Sequence, residues 1–214
     1  VLGRLFRHNL RNELNIIMGY TEMITTEMSE DELNRYLDKI NQTAEELEEQ
    51  SNKIRRFQEL IENRNKYSPQ MVEVRSLLER VADEIRSKYP ETEVHDEIPD
   101  TETSLTVDSI VEFEVKEAAD NAVRHNDRED PKVEITASVN EETREIEISI
   151  SDNGPEISEY EKDVLDVGTE TPLKHGSGVG LWSIQWILNT VGGRVSIEDN
   201  DESGSTVVFE LPYY

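Results

Sequence analysis

Apolar residues recur at intervals of three and four through the first third of the chain, and at every second position in short runs through much of the rest. Leu10, Leu14, Ile17, Ile24 and Met28, with Thr21 filling one seam position, predict an amphipathic helix from Leu2 to about Met28. Leu33, Leu37, Ile40, Ala44, Leu47, Ile54 and Ile61 predict a second helix ending near Asn63, with Ser29-Glu30-Asp31 as the break and cap. Two helices alone bury two such seams poorly. Two copies joined in a four-helix bundle bury them well, so a homodimer is expected; the alternative is a hairpin packed on its own neighbouring domain. His8 lies two residues before Leu10, so at ~100° per residue it should point away from the seam into water.

Tyr67-Ser68-Pro69 interrupts this periodicity and divides the chain into 1–66 and 67–214. Beyond it the pattern predicts a short strand at Met71–Val74, a helix at Ser76–Lys88 closed by Pro90, a strand near Glu93–Ile98 and a helix from about Ser109 to His125. Val133, Ile135, Ala137 and Val139, then Ile146, Ile148 and Ile150, alternate as two half-buried strands. A helix starting near Gly178 carries Leu181, Ile184, Leu188 and Val191 inward and ends at Gly192-Gly193; strands follow near Val195–Ile197 and Thr206–Leu211. The fold class is therefore α+β: a helical hairpin, then a mixed, mostly antiparallel sheet with helices on one face.

Charge narrows the partners. The 214 residues carry 48 acidic against 22 basic side chains, a formal net charge of -26, which leaves no basic stripe for a nucleic acid. Periodicity this regular argues against disorder, and the expectation is a halophilic protein: at about 1 M salt the screening length falls to roughly 3 Å and self-repulsion nearly vanishes. With no cysteine there is neither a disulfide nor a thiolate metal site. No apolar run reaches the ~20 residues of a bilayer span, and no signal peptide opens the chain. Since Val1 already belongs to a helical pattern, a longer parent protein is expected, and a membrane anchor would have to lie before it.

Three segments of the second half carry chemistry. Glu117 and Asn121, four apart on one helix, face the same way; an amide oxygen beside a carboxylate suits Mg²⁺, and Arg124 nearby can hold a phosphate. Asp152 ends a strand and Gly154 follows, so a carboxylate can accept from an exocyclic amine where a flat base approaches the backbone. Gly176, Gly178 and Gly180 precede a helix whose bare amides suit phosphate, with Leu181 completing the turn. The polar run from Pro155 to His175 reads as a lid, and Gly204-Ser205-Thr206 places a hydroxyl at the start of a strand.

In order, these segments resemble the transmitter region of a sensor histidine kinase over nearly the whole chain. His8-Asn9-Leu10-Arg11-Asn12 is similar to the family's phosphoacceptor box and Glu117–Asn126 to its asparagine box. Asp152-Asn153-Gly154, Gly176–Leu181 and Gly204-Ser205-Thr206 are similar to its three glycine boxes. The resemblance implies a gyrase-like ATP-binding domain at 67–214 and a dimerisation and phosphoacceptor hairpin at 1–66. It implies His8 as nucleophile, Asn121 on Mg²⁺, Arg124 on phosphate, Asp152 on adenine, and Thr206 in the adenine-side network. It also implies ATP as donor, a response-regulator receiver domain as acceptor, and a cytoplasmic kinase core.

The chain departs from the family pattern in four places. Asn9 stands where many members have an acid, and an amide cannot take a proton at neutral pH, which leaves the general base open. Asn12, a turn after His8, is no departure: it sits where some relatives have a residue that positions water, so the resemblance also implies dephosphorylation of the partner. Glu117 replaces a common asparagine and matches the catalytic glutamate of the superfamily's ATPases, so it can activate water, deprotonate His8 or sit near Mg²⁺. Glu156 replaces a glycine, and Val164, Leu165 and Val167 stand where lid aromatics are expected. Two other functions stay open: a regulatory nucleotide-binding module, and an ATP-driven dimerisation clamp that uses Glu117 and not His8.

Overall fold

The computed structural model describes residues 2–24, 28–66, 70–98, 105–158, 162, 178–200 and 203–214. Within these, the side chains of residues 2–9, 46, 49, 50, 53, 56, 57, 60, 61, 63–66 and 178–183 are not described. The chain forms two compact units.

The first is a pair of helices, α1 (Leu2–Met23) and α2 (Glu30–Lys66). α1 ends five residues earlier than its periodicity predicts. Its last turn closes by a bond of 3.4 Å from Ile24 N–H to the carbonyl of Thr21, three residues back, and the β-branched Ile24-Thr25-Thr26 that follow are poor helix formers. Ser29 starts α2 through a reciprocal cap: its hydroxyl accepts from Glu32 N–H at 3.3 Å while Glu32 Oε2 accepts from Ser29 N–H at 3.1 Å. Those two bonds satisfy donors that the first helical turn would otherwise leave bare. Tyr20 and Tyr36 meet with ring centroids 5.5 Å apart and pin α1 to α2. The seam is only partly covered, since Leu14 and Leu37 remain 43% and 41% exposed.

The second unit is built on a five-stranded sheet of order β2-β4-β5-β7-β6. Its strands are β2 (Glu93–Glu97), β4 (Lys132–Asn140), β5 (Glu145–Asp152), β6 (Arg194–Asp199) and β7 (Ser205–Pro212). β2 pairs with β4 in parallel, and every other pairing is antiparallel. Alternation sets the register. Ile135 faces Ile150, Ile148 faces Phe209 and Ile146 faces Leu211 across adjacent strands, and all six are buried.

Three helices share this core: α3 (Val74–Lys88) through Leu77, Leu78 and Val81, α4 (Val111–Arg124) through Val111, Val115 and Ala119, and α5 (Gly178–Val191) through Ile184, Ile187 and Leu188. Each large apolar side chain so buried contributes about 1.5–3 kcal/mol. α5 ends as the glycine pair predicts. Gly192, at φ 78°, reaches the left-handed conformation, and the Gly193 and Gly192 N–H groups bond the carbonyls of Leu188 and Asn189.

A small second sheet joins the expected strand at Met71 to one the pattern does not show. β1 (Met71–Glu73) pairs with β3 (Thr106–Asp108), each only three residues long and held by backbone bonds rather than an alternating face. No helix among the described residues is long and apolar enough to cross a membrane.

Candidate functional site

The apolar alternation of β5 gives out at Ser151-Asp152, opposite the start of β7, where Ser151 is registered against Thr206. Here hydrogen bonds replace core packing. Asp152 Oδ1 accepts from Gly154 N–H at 2.7 Å. Burial pushes the Asp152 carboxyl above the ordinary carboxylate range; the backbone N–H groups of Gly154 and Ser205, and then His125, pull against it. A carboxylate held against its desolvation cost at a strand end is poised to trade that cost for a ligand's donor.

The glycines around it are there for close approach. Gly204 has φ 96°, and a Cβ on it would sit 2.0 Å from the carbonyl oxygen of Asp152, so no other residue fits. A Cβ on Gly154 would meet Asn126 and the Asp152 carboxylate at 3.1 Å. The space beside Gly154 that the sequence reading reserves for a base is, in its Cβ direction, taken up by Asn126.

Two residues here do work that sequence reasoning did not assign to them. Asn153 staples the loop after α4 to the end of β5: its Oδ1 accepts from Asn126 Nδ2 and Lys132 N–H, and its Nδ2 donates to the Asp130 carbonyl. Asn200, just past β6, donates through Nδ2 to the Asp152 carbonyl at 2.8 Å and accepts through Oδ1 from the Thr206 hydroxyl at 2.6 Å. In the sequence Asp199-Asn200-Asp201 reads as an ordinary polar turn, and no spacing distinguishes it.

α4 brings the second group. It packs on β4 and β5, burying Val115 and Ala118, with Glu117 and Asn121 half-buried one turn apart. Arg124, in the last turn, stands 4.0 Å from Asp120, which also accepts from Lys88 Nζ and from the Tyr89 hydroxyl at 2.8 Å. His125 caps the helix by donating its N–H to the Asn121 carbonyl, and its influence on Asp152 ties this end of α4 to the β5 cluster. A fully buried carboxylate, Glu114, lies on the same helix and carries no motif signal.

Among the described residues no group of three or more His, Asp or Glu is placed to hold a metal ion. The hard oxygens of Glu117 and Asn121 fit an ion that brings most of its own ligands, as Mg²⁺ does when it arrives on a triphosphate with its waters. Gly178 and Gly180 fall in the first turn of α5, whose N–H groups have no intrahelical acceptor and suit phosphate. Gly176, Val164, Leu165 and Val167 lie outside the described residues, as do the side chains of His8 and Leu181. His8 and the half-buried Asn12 belong to α1, in the helical unit.

A cavity of about 540 Å³ sits at the other end of β5, lined by Glu141, Glu142, Glu145, Glu147 and Glu210 among others. Its carboxylates repel a triphosphate, and it contains none of the residues above.

Residues 106–214 match the model for the histidine kinase-, DNA gyrase B- and HSP90-like ATPase, and residues 6–63 match the His Kinase A (phospho-acceptor) domain. The sensor-type histidine kinase PrrB of Mycobacterium tuberculosis is 25% identical over 211 residues, which is 96% of this chain and 46% of that protein. The chain thus spans about half the length of that relative. Among solved structures, full-length ShkA in complex with AMPPNP is similar with a TM-score of 0.60 at 20% identity, covering 99% of this chain and 45% of that one. The histidine kinase ThkA, solved in complex with the response regulator protein TrrA, is similar at 0.59 and 21%, covering 96% and 59%. These likenesses agree with the fold described above: helices followed by an α/β domain with a mostly antiparallel sheet. With a phospho-acceptor domain preceding a domain of the gyrase-like ATPase family, the chain belongs to the histidine kinases, as a transmitter region.

Proposed function

We propose that this chain is a kinase core that moves the terminal phosphoryl group of ATP to His8 and from there to an aspartate of a response-regulator receiver domain. Residues 1–66 serve as the dimerisation and phosphoacceptor hairpin of a homodimer, and 67–214 as the catalytic ATP-binding domain. The observation that supports this best is the end of β5, a half-buried Asp152 held above its ordinary range against the backbone N–H groups of Gly154 and Ser205, next to a helix that carries Glu117 and Asn121.

In this reading Asp152 accepts from the exocyclic amine of adenine, with Thr206 beside it. Gly154, Gly176, Gly178, Gly180 and Leu181 shape the base- and phosphate-facing turns, and Arg124 neutralises phosphate charge. Asn121 and Glu117 hold Mg²⁺, which when bound supplies charge neutralisation to the transferring phosphoryl. The neutral His8 imidazole attacks the terminal phosphorus; the bond to the bridging oxygen breaks and ADP leaves. Asn9 cannot take the proton released from the imidazole, which passes to Glu117 or to solvent. Asn12 orients a water for dephosphorylation of the partner.

Transfer of label from the γ-phosphate of ATP tests the proposal. The expected product is acid-labile, base-stable and abolished by His8→Gln. Nucleotide binding without labelling would instead identify a regulatory module. Phosphate release that survives His8→Gln and disappears in Glu117→Gln would identify an ATPase clamp, a second reading favoured by the glutamate at position 117.

A further inference from the structure

We infer that Lys88 and Tyr89, at the end of α3, are positioning residues that occupy Asp120 and so keep it from fixing Arg124 away from a nucleotide's phosphates. The inference rests on reading Arg124 as the residue that neutralises phosphate charge, and it gives a role to a helix end that no motif marks.

The placement begins with the end of α3, which Pro90 stops. Tyr89 caps it, donating its N–H to the Ile85 carbonyl at 2.8 Å. The Lys88 ammonium lies 5.1 Å from the centroid of the Tyr89 ring, so each side chain holds the other. Both donate to one atom: Asp120 Oδ1 accepts from the Tyr89 hydroxyl at 2.8 Å and from Lys88 Nζ. A carboxylate oxygen has two lone pairs, so these two donors fill Oδ1. Arg124 Nη1 is left facing Oδ2 at 4.0 Å, too far for a hydrogen bond.

Helix geometry gives that distance its meaning. At ~100° per residue, Glu117, Arg124 and Asp120 fall about 40°, 60° and 100° to the same side of Asn121 on α4. Arg124 therefore leaves the helix between the Glu117–Asn121 face and Asp120, and a phosphate on one side competes for it with a carboxylate on the other. The Asp120 side chain is only 17% exposed, so its charge needs a partner in any case. A bidentate pair with Arg124 would engage both carboxylate oxygens and hold the guanidinium on the Asp120 side. With Oδ1 filled from α3, that fork cannot form.

Tyr89→Phe opens one site on Oδ1 without changing the net charge. Arg124 should then close on Asp120, and the affinity for a triphosphate should fall while that for the bare nucleoside holds. The experiment is calorimetric titration of the whole chain with Mg-ATP and with adenosine. We expect Tyr89→Phe to bind Mg-ATP about 5-fold more weakly and adenosine as the parent does. In an Arg124→Gln background Tyr89→Phe should cost nothing further. Adding Asp120→Asn to Tyr89→Phe should restore the parental affinity, because an amide offers one oxygen and no charge. Lys88→Met opens the other site on Oδ1 and takes the place of Tyr89→Phe in the same comparison if that variant does not fold.

A mere strut between α3 and α4 would weaken Mg-ATP and adenosine together, and that result overturns the inference. So does a loss that persists in Arg124→Gln, a loss that Asp120→Asn leaves in place, or a Mg-ATP affinity that neither α3 variant moves. A parent chain that binds neither ligand overturns the functional reading itself. A parent that binds Mg-ATP as tightly after Arg124→Gln overturns the phosphate role of Arg124, and the role of α3 with it.

Discussion

The helical pair and the sheet domain solve the problem of stability in opposite ways. Among the described residues, Ile54 is the one apolar side chain of the helical pair that is buried, while Leu14, Ile16, Met18, Met23 and Leu37 stay exposed. The sheet domain closes its own core, with Leu77, Leu78, Val81, Ile135, Ile148, Ile187, Leu188 and Phe209 at 0% exposure. Charge runs the other way. Residues 67–214 hold 35 of the 48 acidic residues but only 12 of the 22 basic ones. One region lacks a partner surface, and the other has a complete core under electrostatic strain. They should therefore answer to different external variables: protein concentration for the helices, ionic strength for the sheet.

Salt should have the largest effect. Going from about 1 M to about 0.1 M salt extends the screening length from roughly 3 to roughly 10 Å, which reaches between neighbouring carboxylates on one surface. The sheet-domain midpoint should fall by on the order of 10 °C. Both tryptophans of the chain, Trp182 and Trp186, lie in α5, so their fluorescence follows that domain alone. A fluorescence midpoint independent of salt would remove the halophilic reading and half of the contrast.

Concentration should come second. If two copies bury the exposed seam, Leu37→Glu places two charges in a symmetric interface. The dimer dissociation constant should rise about 100-fold, read by sedimentation velocity, while the fluorescence midpoint of α5 stays put. A variant that stays dimeric with the parental constant would mean that the seam packs elsewhere, which is the alternative the periodicity left open.

How much of this was legible in the sequence follows the same division. Period-two alternation located β4, β5 and β7 to within a residue or two, because burial on one face leaves no freedom of register. The Ser29 cap and the Gly192-Gly193 stop were legible because each has a local stereochemical cause. β3 was not: three residues paired through backbone alone leave no side-chain pattern. The early end of α1 was missed because apolar spacing continued through Ile24 and Met28 after β-branched residues had made the helix unfavourable. In the candidate site, Asp152, Thr206, Glu117 and Asn121 were found through their motifs. Asn200 was not, and Asn153 was seen in its motif without a role, since both work through partners whose proximity exists only after folding.

The smallest effect concerns two carboxylates with opposite shifts, one in each region. Glu32 is held below its ordinary range, first by the Ser29 hydroxyl and then by its backbone N–H, so its contribution to the helical pair is present above 4.5 and is lost as pH falls through the lowered value. Asp152 is raised by burial, so its contribution is complete below 3.8 and is lost as pH climbs through the raised value. At neutral pH the ionised Asp152 thus costs the sheet domain stability. Asp152→Asn keeps an oxygen for Gly154 N–H and removes the ionisation. The difference in unfolding free energy, variant minus parent, should be flat below 3.8 and should grow in the variant's favour as pH rises towards 7. At neutral pH the variant's midpoint should therefore lie above the parent's. The same variant should bind ATP about 10- to 100-fold more weakly, having lost a charged acceptor. Denaturant titrations at several pH values decide it: a difference that is flat throughout, or that slopes the other way, would mean that the Asp152 carboxylate is solvated in the folded chain and that its burial is not reserved for a ligand.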